Sequence, residues 1–204
     1  MRIGMIIDLK KCVGCGACAM SCRQTKGTPA DVVYSRVLKY ETGRYPHARL
    51  HALPISCMHC GAAPCLRACP TGATRREQDG SVQIKPDACI GCRACLQACP
   101  YEARQFLWTF KNHWPDEAAT PYENYARKKF DIGTVVKCDF CQVRRAEARQ
   151  PGCVEACPTG ARVFGDLDDP GTEAARLARQ DDASQMQAEF GADPSVWYRF
   201  LPKQ

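Results

Sequence analysis

The stretch that decides the fold lies near the middle of the chain and reads CIGCRACLQACP, from Cys89 to Pro100. Its spacing is C-x2-C-x2-C-x3-C-P. In runs with this spacing, three cysteine thiolates bind one cubane iron–sulfur cluster and the fourth cysteine binds a neighbouring cluster. Gly91 and Ala94 are small, so the three thiolates can converge while backbone N–H groups stay free to face the cluster. The stretch therefore predicts two clusters that share ligands from one loop.

Three more groups of four cysteines surround this stretch, and together the four groups use all 16 cysteines of the chain. In chain order, group one is Cys12, Cys15, Cys18 and Cys22; group two is Cys57, Cys60, Cys65 and Cys69; group three is Cys89, Cys92, Cys95 and Cys99; group four is Cys138, Cys141, Cys153 and Cys157. Groups two, three and four end in Cys-Pro, whereas Arg23 follows group one. Four complete groups with no cysteine left over are typical of iron–sulfur ligation.

An internal repeat underlies these groups. The sequence ACPTGA begins at Ala68 and again at Ala156, and a looser copy, ACPYEA, begins at Ala98. Asp79-Gly80 predicts a tight hairpin between residues 73–77 and 81–84, which would join groups two and three. The predicted fold class is therefore α+β, with two bacterial-ferredoxin-like lobes of two clusters each, a long insert and a C-terminal tail.

The lobes are predicted from the order of the groups. Groups two and three form a central lobe at 57–100, while groups one and four form an outer lobe from 1–56 and 131–170. An insert at 101–130 and an extension at 171–204 complete the chain. If the last cysteine of each group crosses to the neighbouring cluster, four ligand sets follow. The first set is Cys12, Cys15, Cys18 and Cys157; the second is Cys57, Cys60, Cys65 and Cys99; the third is Cys89, Cys92, Cys95 and Cys69; the fourth is Cys138, Cys141, Cys153 and Cys22. Pairing group one with two and group three with four is the alternative.

Several elements outside the cysteine groups can be predicted from local pattern. Strands are expected at residues 1–7, 32–40, 50–55 and 162–165, with short helices at 17–24 and 172–179. The insert holds 8 of the 17 aromatic residues. Within it, Phe106, Trp108 and Phe110 alternate, which predicts a strand, and residues 117–129 are expected to be partly helical. The insert could face a partner protein or cover one lobe as a small core of its own. The last 25 residues have weak patterns and are expected to drape over the lobes.

Composition narrows the chemistry further. Disulfides have no reason to follow C-x2-C-x2-C. Zinc sites use C-x2-C pairs, and only groups two and four could be halves of such a site, because groups one and three have three cysteines at two-residue gaps. The formal charge is +6. Since an oxidised cubane cluster with four thiolates carries about −2, the basic excess is better explained by anionic clusters than by nucleic acid. No apolar run reaches the roughly 18 residues of a membrane span.

Other polar residues have less specific interpretations. His59 lies inside group two, where four thiolates are already complete, so a supporting or surface role is expected. Lys11, Arg67, Arg93 and Lys137 flank cysteines and could raise cluster potentials, or could be solvated charges. No nucleotide loop and no nucleophile set is recognisable. The chain is therefore not expected to have a catalytic site of its own.

The chain resembles the four-cluster ferredoxin-like subunit of complex iron–sulfur molybdoenzymes, such as dimethyl sulfoxide, polysulfide and arsenate reductases. The resemblance is carried by Ile7 to Cys22, Cys57 to Pro70, Cys89 to Pro100, Cys138 to Pro158 and Gly160 to Pro170. It implies the same crossed ligand sets and four 4Fe–4S clusters. It also implies a large catalytic subunit with a molybdenum or tungsten pterin cofactor, and often a membrane subunit that oxidises quinol.

The resemblance further implies that the chain relays electrons to or from that catalytic site. A free polyferredoxin carrier is an alternative, as is an iron–sulfur subunit of a hydrogenase or formate-type complex. Residues 1–8 do not have the pattern of a secretory signal. Since similar subunits cross the membrane with a signal-bearing partner, a periplasmic location by co-export is expected, with the cytoplasm as the alternative.

Overall fold

The computed structural model describes residues 1–200 and consists of many short elements. The strands are β1 Ile3–Asp8, β2 Ser35–Thr42, β3 Arg49–Ser56, β4 Thr74–Arg76, β5 Val82–Ile84, β6 Arg104–Phe106, β7 Val135–Lys137, β8 Arg162–Asp166, β9 Ala183–Gln185 and β10 Val196–Arg199. The helices are α1 Ala17–Lys26, α2 Pro64–Arg67, α3 Ala94–Gln97, α4 Pro121–Arg127, α5 Gln142–Ala146, α6 Gly152–Glu155 and α7 Glu173–Ala178, with 3₁₀ turns at Pro86–Ala88 and Ala188–Phe190. None of the helices in this part of the chain is long and apolar enough to cross a membrane.

A four-stranded sheet with the order β8-β1-β10-β9 forms the largest regular element. In it β1 pairs antiparallel with β8 and parallel with β10, so that Met5 lies opposite both Phe164 and Val196. Every residue of β1 is buried, because the strand is central in the sheet and covered on both faces. The predicted strands at both ends of the cysteine region are thus confirmed and joined in one sheet.

The C-terminal extension contributes two of these four strands, and in this respect the expectation of a draping tail is wrong. Tyr198 of β10 is fully buried, and its hydroxyl donates a hydrogen bond to the Pro54 carbonyl at 2.8 Å. Gly61 N–H donates to the Asp193 carbonyl at 2.6 Å, so the extension also holds the group-two loop. The strands escaped prediction because three or four residues are too few to show a period. The part of the expectation that concerns residues 201–204 lies outside the described residues.

Three two-stranded sheets surround the cysteine groups. The pairs β2–β3 and β4–β5 are antiparallel, as the turn signals predict. The third pair, β6–β7, joins the end of group three to the start of group four. Strand β6 ends at Phe106, so the prediction of a strand through Trp108 and Phe110 is wrong. Trp108 instead packs edge-on against Phe106, with ring centroids 4.4 Å apart, and lies beneath the guanidinium of Arg93.

The insert divides between a small core and an exposed face. Its helix α4 begins at Pro121, and Thr120 and Glu123 form a capping box at its start, so the predicted helical segment is confirmed in part. Leu107 and Ala126 are fully buried. Four aromatic side chains of the insert are exposed, namely Trp108, Trp114, Tyr122 and Tyr125. The insert therefore has a small buried core, and contact of its exposed face with a partner stays a prediction.

The helices that follow the cysteine loops pack in two pairs. Helix α1 of group one contacts α6 of group four, whereas α2 of group two contacts α3 of group three. This pairing is the one expected if groups one and four bracket groups two and three. The hairpin β4–β5 lies between groups two and three, as predicted.

Candidate metal centres

Three of the four crossed sets line cavities in which their cysteines face a common space. The first set lines one cavity, the third set a second and the fourth set another. Each of these cavities is lined by all four cysteines of its set. The cysteines of each set thus surround an open volume, as ligands of a polynuclear cluster do.

The second set comes together beneath the C-terminal extension. Cys60 has Cys57, Cys65 and Cys99 as its charged neighbours, and burial together with these three thiols raises the pKa of Cys60 to about 12. In the fourth set, burial and the nearby Cys153 and Cys141 likewise raise the pKa of Cys22 to about 12. Thiols crowded in this way ionise when a cationic metal centre compensates their charge. The structure therefore brings together all four sets that the crossing rule predicts.

No tight single-ion site accompanies them. Within residues 1–200, no three His, Cys, Asp or Glu side chains converge closely enough to bind one metal ion.

The loops that carry the cysteines turn in the same way in all four groups. The residue before the second cysteine has a positive φ in each, with values of 67° at Gly14, 45° at His59, 69° at Gly91 and 53° at Phe140. Only glycine adopts this conformation without strain. At Gly91 an added Cβ would also lie 2.2 Å from the Gly133 carbonyl oxygen. Groups one and three thus carry glycine, whereas groups two and four carry large rings at the same turn.

Two crossing cysteines accept hydrogen bonds that favour the thiolate. The Thr74 amide lies 3.4 Å from Cys69 Sγ, and the Thr71 hydroxyl lies 3.8 Å from it. Burial tends to raise the pKa of Cys69, but these hydrogen bonds outweigh it and lower the pKa. Cys157 has the same arrangement with Thr159, and its pKa is lowered in the same way. The repeated CPTGA segments thus supply equivalent ligands to the third and first sets.

Basic residues buried among the sets include two that sequence reasoning missed. Of the four basic residues that flank cysteines in the sequence, Lys137 is buried, with Nζ 2.7 Å from the Cys138 carbonyl, while Lys11, Arg67 and Arg93 are exposed. Arg104 and Arg162 are also buried and lie beside cysteines of two sets each. Their shared position, five residues after Cys99 and Cys157, is the signal that could have identified them.

His59 has a supporting role, as expected, but it is not on the surface. The side chain is fully buried, and its Nδ1 accepts a hydrogen bond from the Val82 N–H at 3.1 Å. Burial, and then the nearby Lys137, lower the pKa of His59 well below its usual range. The ring is therefore neutral.

Comparison with known proteins agrees with this site. Two families, both described as 4Fe–4S dicluster domains, match the sequence, one at residues 48–114 and 109–167 and the other at residues 11–73. These matches cover all four cysteine groups. They confirm the duplicated ferredoxin-like fold and the iron–sulfur nature of the site.

Full-length relatives extend the match to nearly the whole chain. The chain is 36% identical to the arsenate respiratory reductase iron–sulfur subunit ArrB of Shewanella sp., over 97% of this chain and 96% of the relative. It is 38% identical to a subunit of the selenate reductase of Mesobacillus selenatarsenatis, over 95% and 70%. It is 36% identical to the menaquinone reductase iron–sulfur cluster-binding subunit of Nitratidesulfovibrio vulgaris, over 97% and 88%. The chain therefore belongs to the family of 4Fe–4S dicluster iron–sulfur subunits that these proteins represent.

Proposed function

We propose that the chain is the electron-transfer subunit of a molybdopterin-dependent oxidoreductase complex and binds four 4Fe–4S clusters, one in each crossed cysteine set. The 16 cysteines supply four thiolates to each cluster, which is the complete ligand number. The clusters would supply the one-electron chemistry. The protein holds them, excludes water and adjusts their potentials through charge and hydrogen bonds to sulfur.

The observation that carries the proposal is the different exposure of the four sets. Cys15 of the first set and Cys92 of the third set are exposed, whereas the second and fourth sets each have three buried cysteines. Neighbouring sets are also in contact through shared residues. Arg162 lies beside Cys153 of the fourth set and Cys18 of the first, and Arg104 lies beside Cys65 of the second and Cys95 of the third.

These contacts support an order in which the first set is followed by the fourth, the second and the third. His59 of group two stacks on Phe140 of group four, and this stack connects the fourth set with the second set. A row of redox centres that is open at both ends and covered in the middle is suited to passing electrons between two partners. A protein that exchanges electrons with one diffusing partner at a time needs only one open end.

The partner is proposed from the relatives. Two of them are named as subunits of arsenate and selenate reductases and one as a subunit of a menaquinone reductase. By this analogy, one open end faces a large catalytic subunit with a molybdenum or tungsten pterin cofactor. The other end faces an electron source, which in some complexes is a quinol-oxidising membrane subunit. From the resemblance described in the sequence analysis, we also propose a periplasmic location, reached by co-export with the catalytic subunit. Fractionation of cells with and without that subunit tests this location against the cytoplasm.

The first experiment is metal analysis of the tagged full-length chain, purified anaerobically with whatever binds it. The proposal predicts about 16 iron per chain from the four clusters, together with molybdenum or tungsten in a co-purified large subunit. About 16 iron without molybdenum or tungsten would favour the free carrier or a hydrogenase-type complex. Zinc in place of iron would contradict the cluster assignment itself.

A further inference from the structure

Arg104 and Arg162 occupy equivalent places in the two lobes. Each lies five residues after the last cysteine of a group, Cys99 or Cys157, and each is the first residue of a strand, β6 or β8. Both side chains are buried, with 5% and 4% of their surface exposed. Since a guanidinium is charged at any physiological pH, each lobe holds a permanent positive charge in its interior.

Arg104 bridges the two sets of the central lobe. Its Nη2 lies 3.1 Å from Cys65 Sγ of the second set. Its side chain also lines the cavity of the third set, where Cys95 is its charged neighbour. The remaining Nη1 donates to the Thr74 hydroxyl at 2.9 Å.

Arg162 bridges the two sets of the outer lobe in the same manner. Its Nη1 lies 3.2 Å from Met5 Sδ. Cys153 of the fourth set is its charged neighbour on one side, and on the other side it lines the cavity of the first set, where Cys18 is its charged neighbour. Cys65 and Cys153 are the third cysteines of groups two and four, and Cys95 and Cys18 are the third cysteines of groups three and one. The two arginines therefore lie beside matching ligands in the two lobes.

Neither guanidinium has its charge balanced by a carboxylate among residues 1–200. Arg104 Nε and Arg162 Nη2 are buried and have no acceptor among the same residues. A buried cation without a counter-charge is strongly destabilising, and buried N–H groups are rarely left unpaired. Thiolates and cluster sulfides supply both the negative charge and the acceptors, so these residues fit a cluster on each side.

We propose that Arg104 and Arg162 are the internal counter-ions of the two lobes, each raising the reduction potentials of the two clusters between which it lies. This inference rests on the proposed function. An oxidised cluster with four thiolates carries about −2, and reduction adds one further negative charge. A fixed positive charge nearby stabilises the reduced form, and the low dielectric of the interior strengthens the effect.

The test is a potentiometric titration, followed by electron paramagnetic resonance, of the full chain purified anaerobically with its partner. In R104Q two of the four midpoint potentials are expected to fall while the other two stay in place. In R162Q the complementary two are expected to fall. R104K and R162K keep the charge and are expected to leave the potentials close to those of the wild type.

The matched control is R67Q, which removes the same charge from the exposed surface of the central lobe between Cys65 and Cys69. Solvent screens an exposed charge, so R67Q is expected to leave all four potentials unchanged. The inference would be overturned if R67Q and R104Q shifted the potentials equally. It would also be overturned if the potentials were unchanged in R104Q and R162Q.

Iron content separates this inference from the proposed function. A wild-type chain without four clusters contradicts the proposed function itself. Four clusters whose potentials do not change when the arginines are substituted contradict only this inference. If the glutamine variants lose iron, the lysine variants decide. If R104K and R162K retain their iron and their potentials, a role of the positive charge is supported. If these variants lose iron as well, the shape of the arginine side chain alone matters, and the inference is overturned.

Discussion

His59 and Phe140 stack face to face, with ring centroids 3.7 Å apart and planes inclined by 14°. They occupy the same turn of groups two and four, where groups one and three have Gly14 and Gly91. The large rings cover the inner sets and join the two lobes, whereas the glycines leave Cys15 and Cys92 exposed. One position of a repeated loop thus distinguishes the inner cysteine sets from the outer ones.

The stacked pair is expected to stabilise the junction between the lobes. H59A removes the ring from a fully buried site and leaves the Val82 N–H without its acceptor. The expected cost is about 2 kcal/mol or more, which corresponds to a roughly thirtyfold faster loss of clusters in denaturant. The measurement is the decay of visible absorbance under argon. H47A is the control, since His47 is exposed; equal decay in H59A and wild type would contradict a structural role for the stack.

The crossed ligand sets can be tested by combining cysteine substitutions. C12S and C157S alter the same proposed cluster, so the double variant is expected to lose no more than about four iron per chain. C12S and C22S alter two clusters, and that double variant is expected to lose about eight. Iron analysis after anaerobic purification distinguishes them. The reverse result would favour ligation of one cluster by all four cysteines of group one.

Strand β10 is expected to be essential to the sheet. Y198F removes the hydrogen bond to the Pro54 carbonyl and is expected to cost about 1 kcal/mol, whereas Y198A also leaves a cavity beside β1 and is expected to cost about 3–5 kcal/mol. The measurement is the shift of the denaturation midpoint of the loaded chain. F190A serves as the control because Phe190 is 59% exposed. A midpoint that is unchanged in Y198A would restore the interpretation of the C-terminal segment as a peripheral tail.

The exposed aromatic side chains near the third set are expected to contact the partner. Trp108 is 63% exposed and Ile90 68%, and both lie close to the exposed Cys92. If Trp108 is an anchor of this interface, W108S should lower the affinity for the large subunit roughly thirtyfold, or about 2 kcal/mol, without changing the iron content. Titration of the separated subunits measures this. The control is Y45S, which changes a 95% exposed ring at the β2–β3 turn. Undiminished binding in W108S would favour the interpretation that the insert is a small core of its own.

The capping box of α4 gives a prediction about pH. Hydrogen bonds from the amides of His113 and Thr120 lower the pKa of Glu123 to about 2. Since its pKa in the unfolded chain is near 4.5, the stabilisation is complete above that pH and is lost only as the pH falls from about 4.5 towards 2. Hydrogen-exchange protection of residues 113–127, corrected for intrinsic rates, should therefore be constant from about pH 7 to 5. The amides of this segment should exchange faster in E123Q at every pH in this window, and they should not in E117Q, which changes an exposed position. In the wild type, protection that falls within this pH window would contradict the lowered pKa.

The cysteine groups, their internal repeat and the hairpins were determined by the sequence alone, because each depends on neighbouring residues. Cluster ligation needs fixed spacings such as that of Cys89, Cys92 and Cys95, and a tight turn needs a pair such as Asp79-Gly80. Spacing and the repeat favoured the crossed sets over the pairing of group one with two and group three with four, and the structure brings the cysteines of the crossed sets together.

The tertiary structure decided what depends on residues far apart in the chain. β10 pairs with β1 from the opposite end of the sequence, and a strand of four residues has no period that predicts its partner. The contacts of His59 with Phe140 and of Arg104 with Cys65 join residues that are far apart in the chain. The sequence alone therefore determined which residues can bind clusters, whereas tertiary packing decided which cysteine sets are covered, which are open and where the buried charges lie between them.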